Sequence, residues 1–327
     1  MKTQKRLAMA AIACGLLSGA ALAQAPAWKP SRPVEFTVGA GPGGSLDQVA
    51  RTLQHIIEQQ QGPSFVVVNK PSGGGRVAVN SLRQRPGDAH YLASWSQQWL
   101  TSYLIGDWDE SPTEYTTLAM LVREYVALAV RADSPIRNVD DLIRKLRADP
   151  GSVSIAVATA LGNHIHIGAA VPLRAAGIDV SKLTVVPHKS SAESIISALG
   201  GHVDVVAATT PSLVGQLEAS RIRVLAISSP TRLGGLFANT PTWKEQGVDA
   251  EFSSYQGIMA PKGLTAAQLA YWEQTLKRAT DTAEWKSFVA RNQWGERFIS
   301  GKEAAAFVER EQSEMRSVLR ELGLAKH

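Results

Sequence analysis

The chain has 327 residues, 44% hydrophobic and 19% charged, with a formal net charge of +5. That hydrophobic share supports buried cores and excludes a disordered or collagen-like chain. At roughly 150 residues per domain the length predicts two domains.

Residues 1–23 read as a secretory signal peptide. Lys2, Lys5 and Arg6 are basic, residues 7–22 are apolar or small, and Ala21-Leu22-Ala23 is an A-x-A site before Gln24. A poorer, lipobox-like string ends at Cys14. No second long apolar run follows, which argues against an integral membrane protein. Removing residues 1–23 lowers the net charge from +5 to +2, so charge gives no case for a nucleic-acid or anionic-membrane partner. Cys14 is the only cysteine, so the mature chain has no disulfide and no thiolate nucleophile.

Residues 34–38 predict a strand, 39–44 a glycine loop, and Ser45-x-x-Gln48 a capping-box helix start. Leu46, Val49, Ala50, Leu53, Ile56 and Ile57 then recur at helical spacing. Residues 65–68 predict a buried parallel strand, 69–75 a second glycine loop, 76–82 the start of a helix and 91–95 a third strand. Strand, loop, helix, strand predicts a parallel α/β sheet. A second unit follows: strands at 125–130, 153–158, 183–186, 203–208 and 223–227, a helix capped by Asn138, and a helix near His164 that Pro172 should kink or shorten. Residues 255–260 predict a strand returning to the first unit, and the pattern is helical from Thr265 onward, with Val308, Met315, Leu319 and Leu322 on one face.

The loop 39–44 matches G-x-G-x-x-G between a strand and a helix. A dinucleotide site also needs an acidic residue near the end of the second strand, where Asn69-Lys70 stands instead. More telling is recurrence: Gly43-Gly44-Ser45, Ser72-Gly73-Gly74-Gly75 and Leu161-Gly162-Asn163 each join a strand to a helix. Such loops gather where open α/β sheets bind ligands, and helix N-termini favour anions. Taken singly, each set of glycines is explained by a tight turn.

These residues resemble the periplasmic substrate-binding proteins of tripartite tricarboxylate transporters, the Bug-type receptors. The resemblance rests on Gly43-Gly44-Ser45-Leu46-Asp47 with Ala50-Arg51, and on residues 67–75. It continues through Ala175-Ala176-Gly177, Val186-Pro187-His188-Lys189, Gly200-Gly201-His202-Val203-Asp204, Arg223-Val224-Leu225-Ala226, Pro241-Thr242-Trp243 and Ala260-Pro261. It implies an α/β, two-domain periplasmic-binding-protein fold (Venus flytrap, type II-like), each domain a mostly parallel sheet flanked by helices. Domain 1 would be 24–124 plus 252–327 and domain 2 125–251, with crossings near 122–130 and 252–260. It further implies a small carboxylate ligand, delivery to cognate membrane permease subunits, a periplasmic location, a monomer and no cofactor. The family's threonines before Asp47 and after Gly162 are replaced here by Leu46 and Asn163.

The ligand-binding candidates are Gly43, Gly44, Ser45, Asp47, Ser72, Gly73, Arg76, Trp95, Ser96, Gly162, Asn163, His164, Thr209, Thr210 and Tyr255. Asp47 also suits a structural role against the helix dipole. Arg76 either clamps a carboxylate bidentately or is solvated. Trp95 either stacks on a flat ligand or packs at the rim. His164 and His166 are two residues apart, which on a helix separates them and disfavours a shared metal. The other classes considered are an exported α/β enzyme acting on a carboxylate or ester, and a ligand-sensing accessory of a signalling system. No nucleophile-elbow or H-E-x-x-H string supports an enzyme.

Overall fold

The computed structural model describes residues 28–158 and 160–326; residues 1–23, read from the sequence as a signal peptide, lie outside the described residues. The first apolar runs fold as β1 (Val34–Val38), α1 (Ser45–Gln59), β2 (Phe65–Asn69), α2 (Arg76–Arg83) and β3 (Tyr91–Ser96). α1 buries Val49, Ala50, Leu53, Ile56 and Ile57, the face its periodicity marks. α3 (Gln97–Leu104) leads into β4 (Thr116–Glu124), and β5 (Val126–Arg131) begins after the single residue Tyr125. Next come α4 (Val139–Ala148), β6 (Ser154–Ala158), α5 (His164–Ala175), β7 (Thr184–His188), α6 (Ser191–Leu199), β8 (Val205–Thr209), α7 (Thr210–Glu218) and β9 (Ile222–Ile227). The chain closes with β10 (Ser254–Ala260), α8 (Ala266–Thr280), α9 (Ala283–Arg291), β11 (Gly295–Ser300) and α10 (Gly301–Glu321).

Two sheets result. One has the order β11-β4-β10-β3-β1-β2, the other β7-β6-β8-β5-β9. β1, β2 and β3 run parallel, as do β6, β7 and β8; every pairing of β4, β5, β9, β10 or β11 is antiparallel. The sheets are therefore mixed rather than mostly parallel. The cause is the double crossing. β4 leaves the first sheet and β10 re-enters it, so as neighbours they must run in opposite directions; β5 and β9 repeat this in the second sheet.

Two details depart from the sequence reading, and a third, the early end of α5 after Pro172, agrees with it. Gly44, not Ser45, is the N-cap of α1, and Gln48 Nε2 donates to the Gly43 carbonyl, so no capping box forms. Pro172 sits inside α5, which ends three residues later. β11 interrupts the C-terminal helices as an edge strand pairing only with β4.

The lobes are joined at the rear by apolar contact. Leu100 and Leu104 of α3 and Met315, Val318 and Leu319 of α10 share one core with Val126, Leu128, Ile167 and Ala170. α5 lies close to both crossings at Gly168, where an added Cβ would come within 2.6 Å of Val126 Cγ2 and 2.8 Å of Phe252 Cδ1. Gly168→Ala should gain about 1 kcal/mol of helix propensity and lose about 1–3 kcal/mol by overpacking. We expect a net drop in the urea midpoint; an unchanged or higher midpoint would show that this contact is slack.

Glu311 of α10 is buried and accepts a hydrogen bond from Gln97 Nε2 at 3.0 Å. Burial, reinforced by Glu314, pushes its carboxyl up to about 8. A carboxyl raised on folding adds stability at low pH, which is lost as pH climbs from about 4.5 through the folded value. Glu311→Gln should therefore stabilise the protein at pH 8.5, on the order of 4 kcal/mol, and far less at pH 5. Equal shifts in denaturation midpoint at both pH values would show that the carboxyl is not held neutral.

Candidate functional site

The carboxyl ends of the parallel strands face each other across a cleft between the lobes. Its main part, about 430 Å³, is lined by Ser45, Gln48 and Gln98 from one lobe and by Asn163, His164, Ser191 and Thr209 from the other, with Glu124 and Trp294 also in the wall. A smaller part, about 170 Å³, shares Ser45, Gln98, Glu124 and His164 and adds Gly39, Ala40, Gly74, Ser96, Tyr255 and Gln256. Among the described residues no lysine or arginine lines either part.

Helix starts supply the positive potential instead. The first residues of α1 and α6, Ser45 and Ser191, line the wall, as does Thr209, the N-cap of α7. Ser96 stands at the N-cap position of α3, and the Asn163 side chain caps α5. The first N–H groups of a helix have no partner within it, and its dipole favours an anion there. At α1, α3 and α7 no side chain caps these groups, although α3 and α7 carry Ser and Thr at the cap. The other two starts in the wall are capped, α5 by Asn163 and α6 by Ser190; away from the cleft α4, α8 and α9 are capped by Asn138, Thr265 and Thr282, and α10 is not.

Gly39 of the first loop and Gly75 of the second are explained by each other. Gly75 has φ +97°, and a Cβ on it would lie 2.8 Å from the Gly39 carbonyl oxygen. Two backbones cross there with no room for side chains, which brings Gly39, Ala40 and Gly74 to the cleft wall.

Ser45, Ser96, Asn163, His164, Thr209 and Tyr255 all reach the cleft. Asn163 Oδ1 accepts from the Ile165 and His166 amides at 3.0 Å and its Nδ2 donates to the Ala158 carbonyl, so it chiefly shapes α5. Thr209 Oγ1 lies 3.1 Å from Ser212 Oγ. Burial holds the His164 ring down at about 4, so it is neutral near pH 7, and its Nδ1 is buried without a partner.

The remaining candidates are engaged elsewhere. Trp95 is fully buried, packed with Val79, Trp99 and Met259, because its position alternates away from the cleft along β3. Arg76 is held by Asp109 at 3.0 Å and Glu110 at 2.9 Å, so it clamps acids of its own lobe. Asp47 accepts from the Gly43 amide at 2.9 Å, from Arg51 at 3.0 Å and from Asn69 at 2.8 Å. Burial alone would raise its carboxyl, but these bonds, that of Arg51 foremost, hold it below the usual range; it fastens the loop that opens α1. Ser72, Gly73 and Gly43 are exposed outside the wall, while Gly44 sits just behind Ser45. Gly162 is turned to Ile105, Leu319 and Leu324. Thr210 Oγ1 donates to the Gln293 carbonyl at 3.2 Å, tying α7 to the loop before β11. His166 Nδ1 accepts from the Gly162 amide at 2.9 Å and braces that loop.

The sequence places Gln98 after the third strand and Gln256 at the start of the returning strand, and both line the cleft; the sequence reading missed Glu124 and Trp294 there. Glu124 is 7% exposed and lies at the end of β4, opposite Ser254 of β10. Burial pushes its carboxyl up to about 7, against the pull of Gln256, Ser254 and Trp294 beside it. The visible signal was a lone acid between two strongly apolar runs, residues 117–122 and 126–130. Among the described residues no group of three or more His, Cys, Asp or Glu side chains could hold a metal, and no helix is long and apolar enough to cross a membrane.

Known proteins share this architecture. R. palustris Rpa4515, solved with adipate, superposes with a TM-score of 0.75 at 24% identity, covering 90% of this chain and 99% of that one. MatC from Rhodopseudomonas palustris, solved with bound malate, gives 0.69 at 19% identity, covering 89% and 99%. In sequence, a UPF0065 protein of Cupriavidus necator is 27% identical over 323 residues, 98% of this chain and 96% of the relative. A TctC solute binding protein from Polaromonas also superposes, with a TM-score of 0.75 at 21% identity, covering 90% of this chain and 99% of that one. Residues 49–324 match the family model TctC, and the chain belongs to that family, the tripartite tricarboxylate transporter family receptors.

Proposed function

We propose that this receptor captures a small organic carboxylate in the cleft between its lobes and delivers it to the membrane components of a tripartite tricarboxylate-type transporter. The lobes are residues 24–124 with 252–327, and residues 125–251. They close about the crossings at Tyr125 and at residues 252–254, and the mature protein acts in the periplasm after loss of residues 1–23. The observation that carries this reading is the gathering of uncapped helix starts on a cleft without lysine or arginine. Closing the lobes would strip water from the acid and leave its oxygens to fixed N–H groups. The cleft volume suits a compact acid, and the relatives solved with adipate and malate hold acids of that kind.

A thermal-shift panel of adipate, malate, benzoate, phthalate and nicotinate, set against sugars and simple amines, tests this. A bound acid at 100 times its Kd should stabilise the protein by about 2.7 kcal/mol. A response to sugars or amines alone would reject the carboxylate reading.

Gly44→Asp is a sharper probe. Gly44 has φ −68° and ψ 163°, a backbone that aspartate adopts, and aspartate is a favoured N-cap. The new carboxylate would take the free amides of α1 and repel an incoming anion. We expect a folded protein, at least as stable as the parent, whose acid binding is weakened tenfold or more. Unchanged affinity would move the site away from α1.

A further inference from the structure

Glu124 is the one ionisable carboxyl in the cleft wall, and it lines both parts of the cavity. It takes part in no ion pair among the described residues. The groups around it are uncharged. β10 presents Ser254 and Gln256, the loop before β11 presents Trp294, α3 presents Gln98, and α5 presents His164. β8 and the start of α7 add Thr209 and Pro211. His164 is neutral near pH 7 because burial disfavours its cation. Arg123, next in sequence, lies on the other face of β4. It lines a separate rear cavity with Glu251, Glu311, Glu314 and Tyr255.

The same region holds polar atoms with nothing to bond. Trp294 Nε1, Gln256 Oε1, Gln97 Oε1 and His164 Nδ1 are buried without partners. Trp294 is 6% exposed, Gln256 3% and Gln97 1%. Trp294 Nε1 sits close enough to the Glu124 carboxyl to favour its charged form, yet makes no hydrogen bond of ordinary geometry. Unpaired buried donors and acceptors are costly and mark a place where a ligand completes the bonding.

We propose that Glu124 is the specificity-determining residue of the cleft: as a neutral carboxyl it donates a hydrogen bond to the bound acid, so that each acid is captured together with one proton. This rests on the carboxylate-receptor reading above. An ionised Glu124 would face a second anion in a small cavity with no cation between them. Like charges at that separation disfavour joint ionisation, so one of the two must hold a proton. Burial already favours the protonated Glu124, whose carboxyl stands at about 7 before any ligand enters. The balance is simple: acid anion, receptor with ionised Glu124 and one proton from solvent give the bound acid with Glu124 protonated, while receptor already protonated at Glu124 binds the anion with no uptake. No covalent bond of the ligand changes.

The test is calorimetric titration of the mature chain with adipate and with malate at pH 6.5 and pH 8, in two buffers of different ionisation enthalpy. Binding limited by the protonated fraction of a group near 7 should weaken about eightfold between these pH values. Proton uptake should approach one per bound acid at pH 8. Glu124→Gln keeps a donor and cannot titrate, so it should bind equally at both pH values without proton uptake, and more tightly than the parent at pH 8. Pairing of an ionised Glu124 with a cationic ligand group would appear instead as loss of binding in Glu124→Gln and would overturn the proposal. So would binding by the parent chain that is independent of pH and takes up no proton, and that result stands even if the variant does not fold. Such a result leaves the carboxylate reading intact, whereas failure of adipate, malate, benzoate, phthalate and nicotinate alike to bind at pH 6.5 removes that reading and the proton proposal together.

Discussion

Backbone N–H groups left over at helix starts are the constraint around which this molecule is arranged. Each helix leaves several without an internal partner, and burying them unpaired is costly. Water, a capping side chain or a ligand can satisfy them. In α4, α8 and α9 a side chain does so. In α1, α3 and α7, which open onto the cleft, none does, while α5 and α6, which also open there, are capped by Asn163 and Ser190. The strand–loop–helix order that places these starts at one edge of each sheet follows from parallel crossover, so the chemistry of the cleft is a by-product of topology, completed where three of its starts carry no cap.

The double crossing sets the mechanics. β4 and β5 are separated only by Tyr125, and Phe252 immediately precedes the return toward β10. Tyr125 is itself buried, and its carbonyl accepts from the Thr210 amide at 3.1 Å. On the rear, α3 and α10 share a core with the second lobe, and Arg174 of α5 pairs with Glu321 of α10 at 2.8 Å. One side of the lobe interface is therefore greased and pinned, while the other is polar and open. Motion about such an axis changes the cleft most and the rear least, which is the geometry a capturing receptor needs.

Much of this was legible in the sequence because the relevant signals are local. Apolar runs marked β1, β2, β6 and β8; the periodicity of α1 named its buried face; the three glycine loops pointed to the correct edge of both sheets. The misses share a different cause. Trp95 and Arg76 sit at the right place in the chain, but strand alternation turns the first into the core, and Asp109 and Glu110, more than thirty positions away, claim the second. β11 was invisible because its apolar content is confined to Phe298 and Ile299 and its existence depends on pairing with β4. Glu124 lies in an apolar stretch that reads as core, and only assembly of β4, β10 and the loop before β11 shows it facing the cavity.

The absence of arginine from the cleft wall then has a physical reading. A guanidinium holds a carboxylate strongly and bidentately, but it holds most carboxylates alike and must be desolvated as the lobes close. Amide dipoles fixed by helices need no such reorganisation and impose a fixed direction on each bond. Arg76 and Arg51, the arginines beside the first two loops, are spent on Glu110 and Asp47, where they set the shape of those loops rather than meet the ligand. Positive potential thus reaches the cleft from rigid backbone, and the titratable groups in its wall, Glu124, His164 and Tyr255, are all driven by burial toward their neutral forms. A wall built in this way discriminates by the placement of single hydrogen bonds instead of by net charge.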